Sequence, residues 1–220
     1  MRTATAGFLF WLIFGRIECM KFLLATTNEG KIREYRHLLG KAGVEFVTLA
    51  EAGITDKPEE TGATCAENAI LKAKFYFEKS GGMPTLADDG GLEIDTLGGE
   101  PGVHSRRWPG HEATDGELVQ YTLERMEGIA LEKRTARLTA VLAVTADGKN
   151  VQTFSGTLEG KIVEKPYNPI VAGYPFRSLF QEMQTGRVLA EIPVEQLPNA
   201  HREQAIAKAL PLLQQLAKNW

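Results

Sequence analysis

Carboxylates and cations are interleaved through the stretch Glu60 to Trp108, ETGATCAENAILKAKFYFEKSGGMPTLADDGGLEIDTLGGEPGVHSRRW. Glu60, Glu67, Asp88 and Asp89 stand among Lys72, Lys74, Arg106 and Arg107, and glycines mark the bends. Bare carboxylates repel a polyanion such as a nucleoside triphosphate. They favour one when a divalent cation lies between them and the phosphates, and Mg²⁺ typically binds through one or two carboxylates plus substrate oxygens and water. The chain therefore reads first as a metal-dependent enzyme acting on a phosphorylated small molecule. Asp88-Asp89-Gly90-Gly91 follows a short apolar run, which places two carboxylates at a strand end beside flexible backbone. Adjacent strand residues point to opposite faces, so only one of the two is expected to face a site. Paired carboxylates often serve a turn alone, but Glu60, beside a glycine loop of its own, favours metal binding.

Three other constellations carry candidate chemistry. Thr26-Thr27-Asn28-Glu29-Gly30-Lys31 lies where a strand pattern gives way to a helix pattern. Backbone N–H groups at a helix start, with hydroxyls and a lysine, suit a phosphate. The segment lacks the paired glycines and Gly-Lys-Ser/Thr ending of a Walker A loop. Asn68 and Lys72 share one face of a helix, opposite its apolar stripe, and a solvated face is the plain expectation for them. His201-Arg202 precedes the last helix, where a capping and solvent pair is equally consistent with the local sequence.

Helix and strand patterns alternate from Met20 onward. Phe22 to Thr26 reads as a buried strand, about Lys31 to Leu39 as a helix with Ile32, Tyr35, Leu38 and Leu39 inward, and Val44 to Leu49 as a second strand. Thr64-x-x-Glu67 is a capping box opening a helix through about Lys79, and Gly81-Gly82 stop it. Thr85 to Ala87 is strand-like, with Leu92 and Ile94 alternating against Glu93 and Asp95. A second capping box, Thr114-x-x-Glu117, starts a helix carrying Leu118, Thr122 and Met126. Ala136–Thr145 and Val151–Leu158, joined through Asp147-Gly148, form a long antiparallel hairpin. Lys165 to Gln181 reads as loop, and a final helix starts near Asn199 with Pro211 expected to bend it. The pattern predicts an α/β fold with a mixed β-sheet and flanking helices, as one domain over residues 20–220.

The balance of the chain narrows the class. Its 220 residues suffice for a substantial core. Apolar residues make up 43% and charged residues 24%, which excludes extended disorder. A net charge of −3 argues against nonspecific nucleic-acid binding. Cys19 and Cys65 have no zinc spacing and make no disulfide framework, so a reducing cytoplasm is the simplest compartment. Gly7 to Gly15 is apolar but much shorter than the roughly 20 residues of a spanning helix, so no membrane role is expected. Arg2 before that run resembles a signal peptide, yet Arg16, Ile17 and Glu18 make a poor cleavage site. Residues 1–19 are therefore expected to be an extension outside the core, with Met20 as the functional start.

ATTNEGKIREY, ETGATCAENAILKAK, LADDGGLEIDTLGGEPGVHSRRW and AHREQAIAKAL, in that order, resemble the inosine/xanthosine triphosphate pyrophosphatase family, enzymes that clear non-standard purine nucleotides from the nucleotide pool. The resemblance covers about Met20 to Lys218. It implies two lobes around a nucleotide cleft, a homodimer, and Mg²⁺-dependent hydrolysis of ITP, dITP and XTP to the monophosphate and pyrophosphate. It makes Thr26, Thr27, Asn28, Glu29, Gly30 and Lys31 a triphosphate loop and puts Lys72 near the phosphates. Glu60 and Asp89 match the metal carboxylates, with Asp89 the general base. Tyr174 matches an aromatic that stacks on the base, and His201-Arg202 the pair that reads the purine.

Four positions depart from the family pattern. Gly90 and Ala200 stand where serines are usual, Arg177 replaces an acidic residue, and Gln196 replaces a lysine. The last two leave the pocket more positive, and Arg177 is expected to take over the phosphate- or base-contacting cation lost at 196. Two other readings stay open, a pyrophosphatase for another modified nucleotide and a nucleotide sensor without turnover. A chain beginning at Met20 should match the full chain in solubility and turnover; loss of either on removing residues 1–19 would refute the extension reading.

Overall fold

The structure, a computed structural model, describes residues 20–193, 196 and 200–218. The expected extension 1–19 and the start of the last helix at Asn199 fall outside these residues. Six strands form one mixed sheet: β1 (Phe22–Ala25), β2 (Phe46–Thr48), β3 (Thr85–Ile94), β4 (Thr135–Thr145), β5 (Gln152–Ile162) and β6 (Phe180–Glu182). Their spatial order is β2-β1-β3-β4-β5-β6. β1 runs parallel to β2 and β3, and the remaining neighbours are antiparallel. Among the described residues four helices flank the sheet: α1 (Glu29–Lys41), α2 (Cys65–Lys79), α3 (Asp115–Arg125) and α4 (His201–Lys218).

Strand alternation sorts the core. One face of the sheet sends Phe22, Leu24, Leu86 and Leu142 against Tyr35 and Leu39 of α1 and Ile206, Ala209 and Leu213 of α4. The other face sends Leu23, Ala25, Ala87 and Ala143 against Ala69, Ala73 and Tyr76 of α2. A third cluster gathers Leu92, Leu138, Leu158 and Phe180 from the far ends of the strands with Leu118 of α3 and Phe176 and Leu189 from the loops. Each fully buried side chain of this size contributes on the order of 1.5–3 kcal/mol.

The helix starts follow the sequence signals. Asn28 caps α1 by accepting from Lys31 N, and Thr64 caps α2 by accepting from Glu67 N. At α3 the capping box is reciprocal. At α2 the return bond goes one residue further out, from Ala63 N to Glu67 Oε2. α4 continues through Pro211. The expected loop Lys165 to Gln181 contains a 3₁₀ turn at Pro175–Ser178 and the start of β6.

β3 corrects one expectation. Asp88 and Asp89 do not end a strand: they sit in the middle of ten continuous residues, opposite Leu142 and Val141 of β4. The glycines after them act through lack of bulk. A Cβ on Gly90 would run into the backbone oxygen of Thr139, and one on Gly91 into that of Gly102. A strand glycine here marks close approach of backbone, not a turn.

Gly156 of β5 does the same for α4. A Cβ there would strike the backbone oxygen of His201 and come within 2.7 Å of Gln204 Cβ. Gln204 pins the contact, donating to Thr157 O at 2.8 Å and accepting from Thr157 N at 3.3 Å. The first turn of α4, with His201 and Arg202, is thereby seated directly on the sheet. Gly156→Ala should lower stability by about 1–3 kcal/mol through overpacking, read as a shift in the urea midpoint at unchanged slope; an unaltered midpoint would show that α4 is free to move outward.

Candidate active site

β1 ends at Ala25, and the chain turns through Thr26-Thr27-Asn28 into α1. Asn28 fixes this turn from both sides, accepting from Lys31 N at 3.1 Å and donating to Gly173 O at 3.1 Å. The turn forms one end of a cleft of about 870 Å³. Thr26, Thr27, Asn28, Glu29 and Lys31 line it. Gly30 does not; it lies under the ring of Tyr174, so close that a Cβ would collide with that ring.

The two aspartates diverge as alternation requires. Asp89 faces the cleft, where Lys72 Nζ lies 2.7 Å from its Oδ1 and 3.5 Å from Glu60 Oε1. Lys72 and Asn68 are 8% and 2% exposed, so the expectation of a solvated face fails. α2 carries them along the cleft side of the sheet, beneath the loop that holds Glu60. Burial alone would lower the Lys72 pKa, but the Asp89 and Glu60 carboxylates outweigh it and raise it, so the ammonium stays charged.

Asp88 points to the other face and is 1% exposed. Its Oδ2 accepts from Tyr35 Oη at 2.8 Å and Arg202 Nε at 3.2 Å, and its Oδ1 pairs with Lys31 Nζ. Burial would raise its pKa; the Arg202 guanidinium and the Lys31 ammonium overcome that and hold the carboxyl far below the ordinary range. Glu34, also buried, accepts from Arg202 Nη1 at 3.1 Å and from Tyr174 Oη at 2.8 Å. Neither Asp88 nor Glu34 was assigned a role from sequence. Alternation sends Asp88 to the second face, but its partners lie 53 and 114 positions away, and nothing local marks Glu34.

His201 Nε2 lies 3.1 Å from Arg202 Nη1. Burial first, and the neighbouring guanidinium second, push the His201 pKa down to about 3, so the ring is neutral at neutral pH. A guanidinium can only donate, so Nε2 accepts and the ring proton sits on Nδ1. Cys65, beside Asp89, is no nucleophile: burial and that carboxylate push its thiol up to about 12.

The Gly173–Ser178 turn forms a second wall, directly against the α1 start. Asp115 Oδ2 accepts from Gly173 N at 2.7 Å while its Oδ1 accepts from Arg106 Nη1 at 2.8 Å, a positioning role the sequence did not disclose. The Tyr174 ring has the Arg177 and Arg202 guanidinium carbons 5.7 and 6.0 Å from its centroid. Arg177 lines the cleft, and its Nη2 donates to Leu189 O at 2.7 Å and Ile192 O at 2.6 Å, joining the 174–178 turn to the 189–192 segment. Gln196 is exposed and outside the cleft wall.

Every residue assigned above to the nucleotide, the metal or the attacking water, Gly30 excepted, thus borders one cleft, including Gly90, His201 and Arg202. A charge-assisted hydrogen bond contributes about 1.5–3 kcal/mol. Arg177→Ala should accordingly cost about 2–4 kcal/mol of unfolding free energy in a denaturant titration. Gln196→Lys should not recover that loss; a change under about 1 kcal/mol, the scale of a neutral hydrogen bond, would detach Arg177 from the carbonyls.

Among the described residues no three His, Cys, Asp or Glu side chains converge on a metal position. The donor set nevertheless fits a hard cation that completes its shell with water and phosphate. Glu60 and Asp89 already converge on one positive group, the Lys72 ammonium, and Asp89 Oδ2 has no hydrogen-bond partner.

Comparison with known proteins places this arrangement. The Ham1 family pattern matches residues 22–212. A dITP/XTP pyrophosphatase of Thermus thermophilus is 42% identical over 192 residues, covering 87% of this chain and 90% of that protein. A dITP/XTP pyrophosphatase of Bacillus subtilis is 37% identical, covering 87% and 96%. The structure of a HAM1 protein from Coxiella burnetii superposes with a TM-score of 0.76 at 34% identity, over 89% of this chain and 99% of that one. With a matching pattern over most of its length, and relatives of this similarity over nearly nine-tenths of it, the chain belongs to the Ham1 family.

Proposed function

We propose that the chain is a nucleoside triphosphate pyrophosphatase that hydrolyses non-standard purine nucleotides (ITP, dITP and XTP) to the nucleoside monophosphate and pyrophosphate. The observation that carries this reading is the meeting of Asp89, Glu60 and Lys72 in a cleft whose one end is a helix start. Relatives named dITP/XTP pyrophosphatase support the substrate class.

The α1 start and Lys31 bind the phosphates, the former through backbone N–H groups that no intrahelical bond uses. Glu60 and Asp89 would hold Mg²⁺, which supplies charge neutralisation on the phosphate oxygens. Asp89 takes a proton from the attacking water as its oxygen bonds to the α-phosphorus. The bond from that phosphorus to the bridging oxygen breaks, and pyrophosphate departs with the bond's electron pair. Lys72 offsets the charge that develops there. A donor aimed at purine O6 accepts hypoxanthine and xanthine and confronts the amino group of adenine donor to donor, and unpaired buried polar groups discriminate strongly. Tyr174 supplies a ring for stacking, and Arg177 adds a positive charge to the same wall.

We assign the chain to the cytoplasm, as a homodimer with two lobes about the cleft and no nucleic-acid or membrane partner. Its charge balance and the family resemblance support this. Among the described residues no helix is long and apolar enough to cross a membrane.

Pyrophosphate release across a panel of triphosphates should require Mg²⁺ and favour ITP, dITP and XTP over ATP and GTP. Greater turnover of a modified pyrimidine, or binding without release, would replace this reading with another nucleotide class or a sensor. Asp89→Asn should lower kcat by about 10²–10⁴, the usual scale of general-base loss, while nucleotide binding stays measurable by calorimetry; near-normal kcat at saturating Mg²⁺ would remove Asp89 from the base position.

A further inference from the structure

Glu60 sits in a weakly structured place for a residue that must meet a metal ion. Residues 54–64 contain neither helix nor strand. The Glu60 side chain is about one-third exposed, and Lys72 is its one ion-pair partner among the described residues. An irregular segment loses backbone entropy for every residue it holds in one conformation. Something other than regular structure must therefore fix where this carboxylate stands.

The fixing bonds come from the first turns of α2. Gly62 N donates to Asn68 Oδ1 at 2.7 Å, and Ala63 N donates to Glu67 Oε2 at 2.7 Å. The Ala63 bond is exposed and competes with water, whereas Asn68 is buried. The Gly62 bond is partly buried, ends on a buried side chain, and is the costlier of the two to lose, because the orphaned Asn68 oxygen would stay desolvated. The fit at Gly62 is close: a Cβ there would lie 2.6 Å from Asn68 Oδ1 and 2.8 Å from Asn68 N. One turn further along the same helix face, Lys72 pairs with the Glu60 carboxylate itself. A single face of α2 thus grips this loop twice, by its backbone at Gly62 and by its charge at Glu60.

We propose that Asn68 is a positioning residue for the divalent cation: by holding the Gly62 amide it sets the place of the Glu60 carboxylate, and so the metal affinity of the Glu60–Asp89 pair. The inference rests on the metal reading of that pair. Two residues of released chain span about 7 Å, whereas a metal–ligand distance tolerates only about ±0.2 Å. Asn68 therefore acts on the ion without touching it, in the manner of outer-shell groups whose loss typically costs about 10–100-fold in affinity.

The test is Mn²⁺ alone as the probe, followed by electron paramagnetic resonance, with amide exchange at Gly62 read on the same samples. Asn68→Ala should weaken Mn²⁺ binding about tenfold and deprotect the Gly62 amide, and Asn68→Asp, which keeps an acceptor oxygen, should stay within about threefold of the unaltered protein. Gly62→Ala breaks the same bond from the loop side and should match Asn68→Ala, which keeps the test decisive if that variant folds poorly. Unchanged Mn²⁺ affinity in both, with Glu60→Gln weakening it, overturns the proposal while leaving the metal reading standing. Unchanged affinity in Glu60→Gln and Asp89→Asn as well would overturn the metal reading and the proposal together.

Discussion

Two cations and two carboxylates meet where β3, α1 and α4 converge, with Glu34, Asp88 and Arg202 buried and Lys31 reaching in from the cleft. Arg202 reaches Glu34 with Nη1 and Asp88 with Nε, and Lys31 closes the set on Asp88. Withdrawing such charges from water is expensive, and their mutual attraction offsets that cost only when each is paired and hydrogen-bonded. Here the formal charges cancel, and Tyr35 and Tyr174 occupy further acceptor positions on the carboxylates. The rest of the cleft depends on this junction. It orients Lys31 at the helix start, holds Arg202 against His201, and ties the Tyr174 wall to α1 through Glu34. A buried carboxylate outside the cleft lining thus holds in place the groups proposed for the substrate.

What could be read from the sequence was whatever short-range rules decide. The strand-to-helix turn at Thr26–Lys31, the Thr114 capping box, the β4–β5 hairpin and the opposite facing of Asp88 and Asp89 each follow from spacing alone. The mixed sheet followed from the order of those pieces. Two features stayed hidden because their partners are remote in sequence, and a third because its partners are backbone. Glu34 meets Tyr174 across 140 positions, Gly173 meets Asp115 across 58, and the Arg177 guanidinium ends on backbone carbonyls that carry no side-chain signature. Gly90-Gly91 misled in the other direction. Paired glycines usually mark a bend, but here they allow backbone to pass at a distance that any side chain would forbid.

The same principle of missing bulk seats the chemistry. Gly30 admits the Tyr174 ring over the α1 start, Gly90 admits β4 beside Asp89, and Gly156 admits the first turn of α4. These contacts bring three segments of distant origin to one cleft without a dedicated loop between them. Side chains can then be aimed from strands and helices, whose positions vary less than loops. Of the two metal-ligand candidates Glu60 is the one on irregular chain, and α2 compensates by gripping that chain at Gly62.

The balanced junction at Asp88 also constrains how such a chain can change over generations. Replacing one of Glu34, Asp88 or Arg202 by a neutral residue strands a charge in the interior, a loss of about 3–5 kcal/mol, against a total stability of about 5–15 kcal/mol. A single-step lineage through that intermediate folds poorly before any benefit can arrive. Gln196, exposed and outside the four-charge set, is open to drift on its own, whereas Arg177 is held by the carbonyls of Leu189 and Ile192. Variation should therefore accumulate first at exposed positions such as 196, while the junction and the Gly173–Ser178 turn tied to it through Tyr174 pass down as a block.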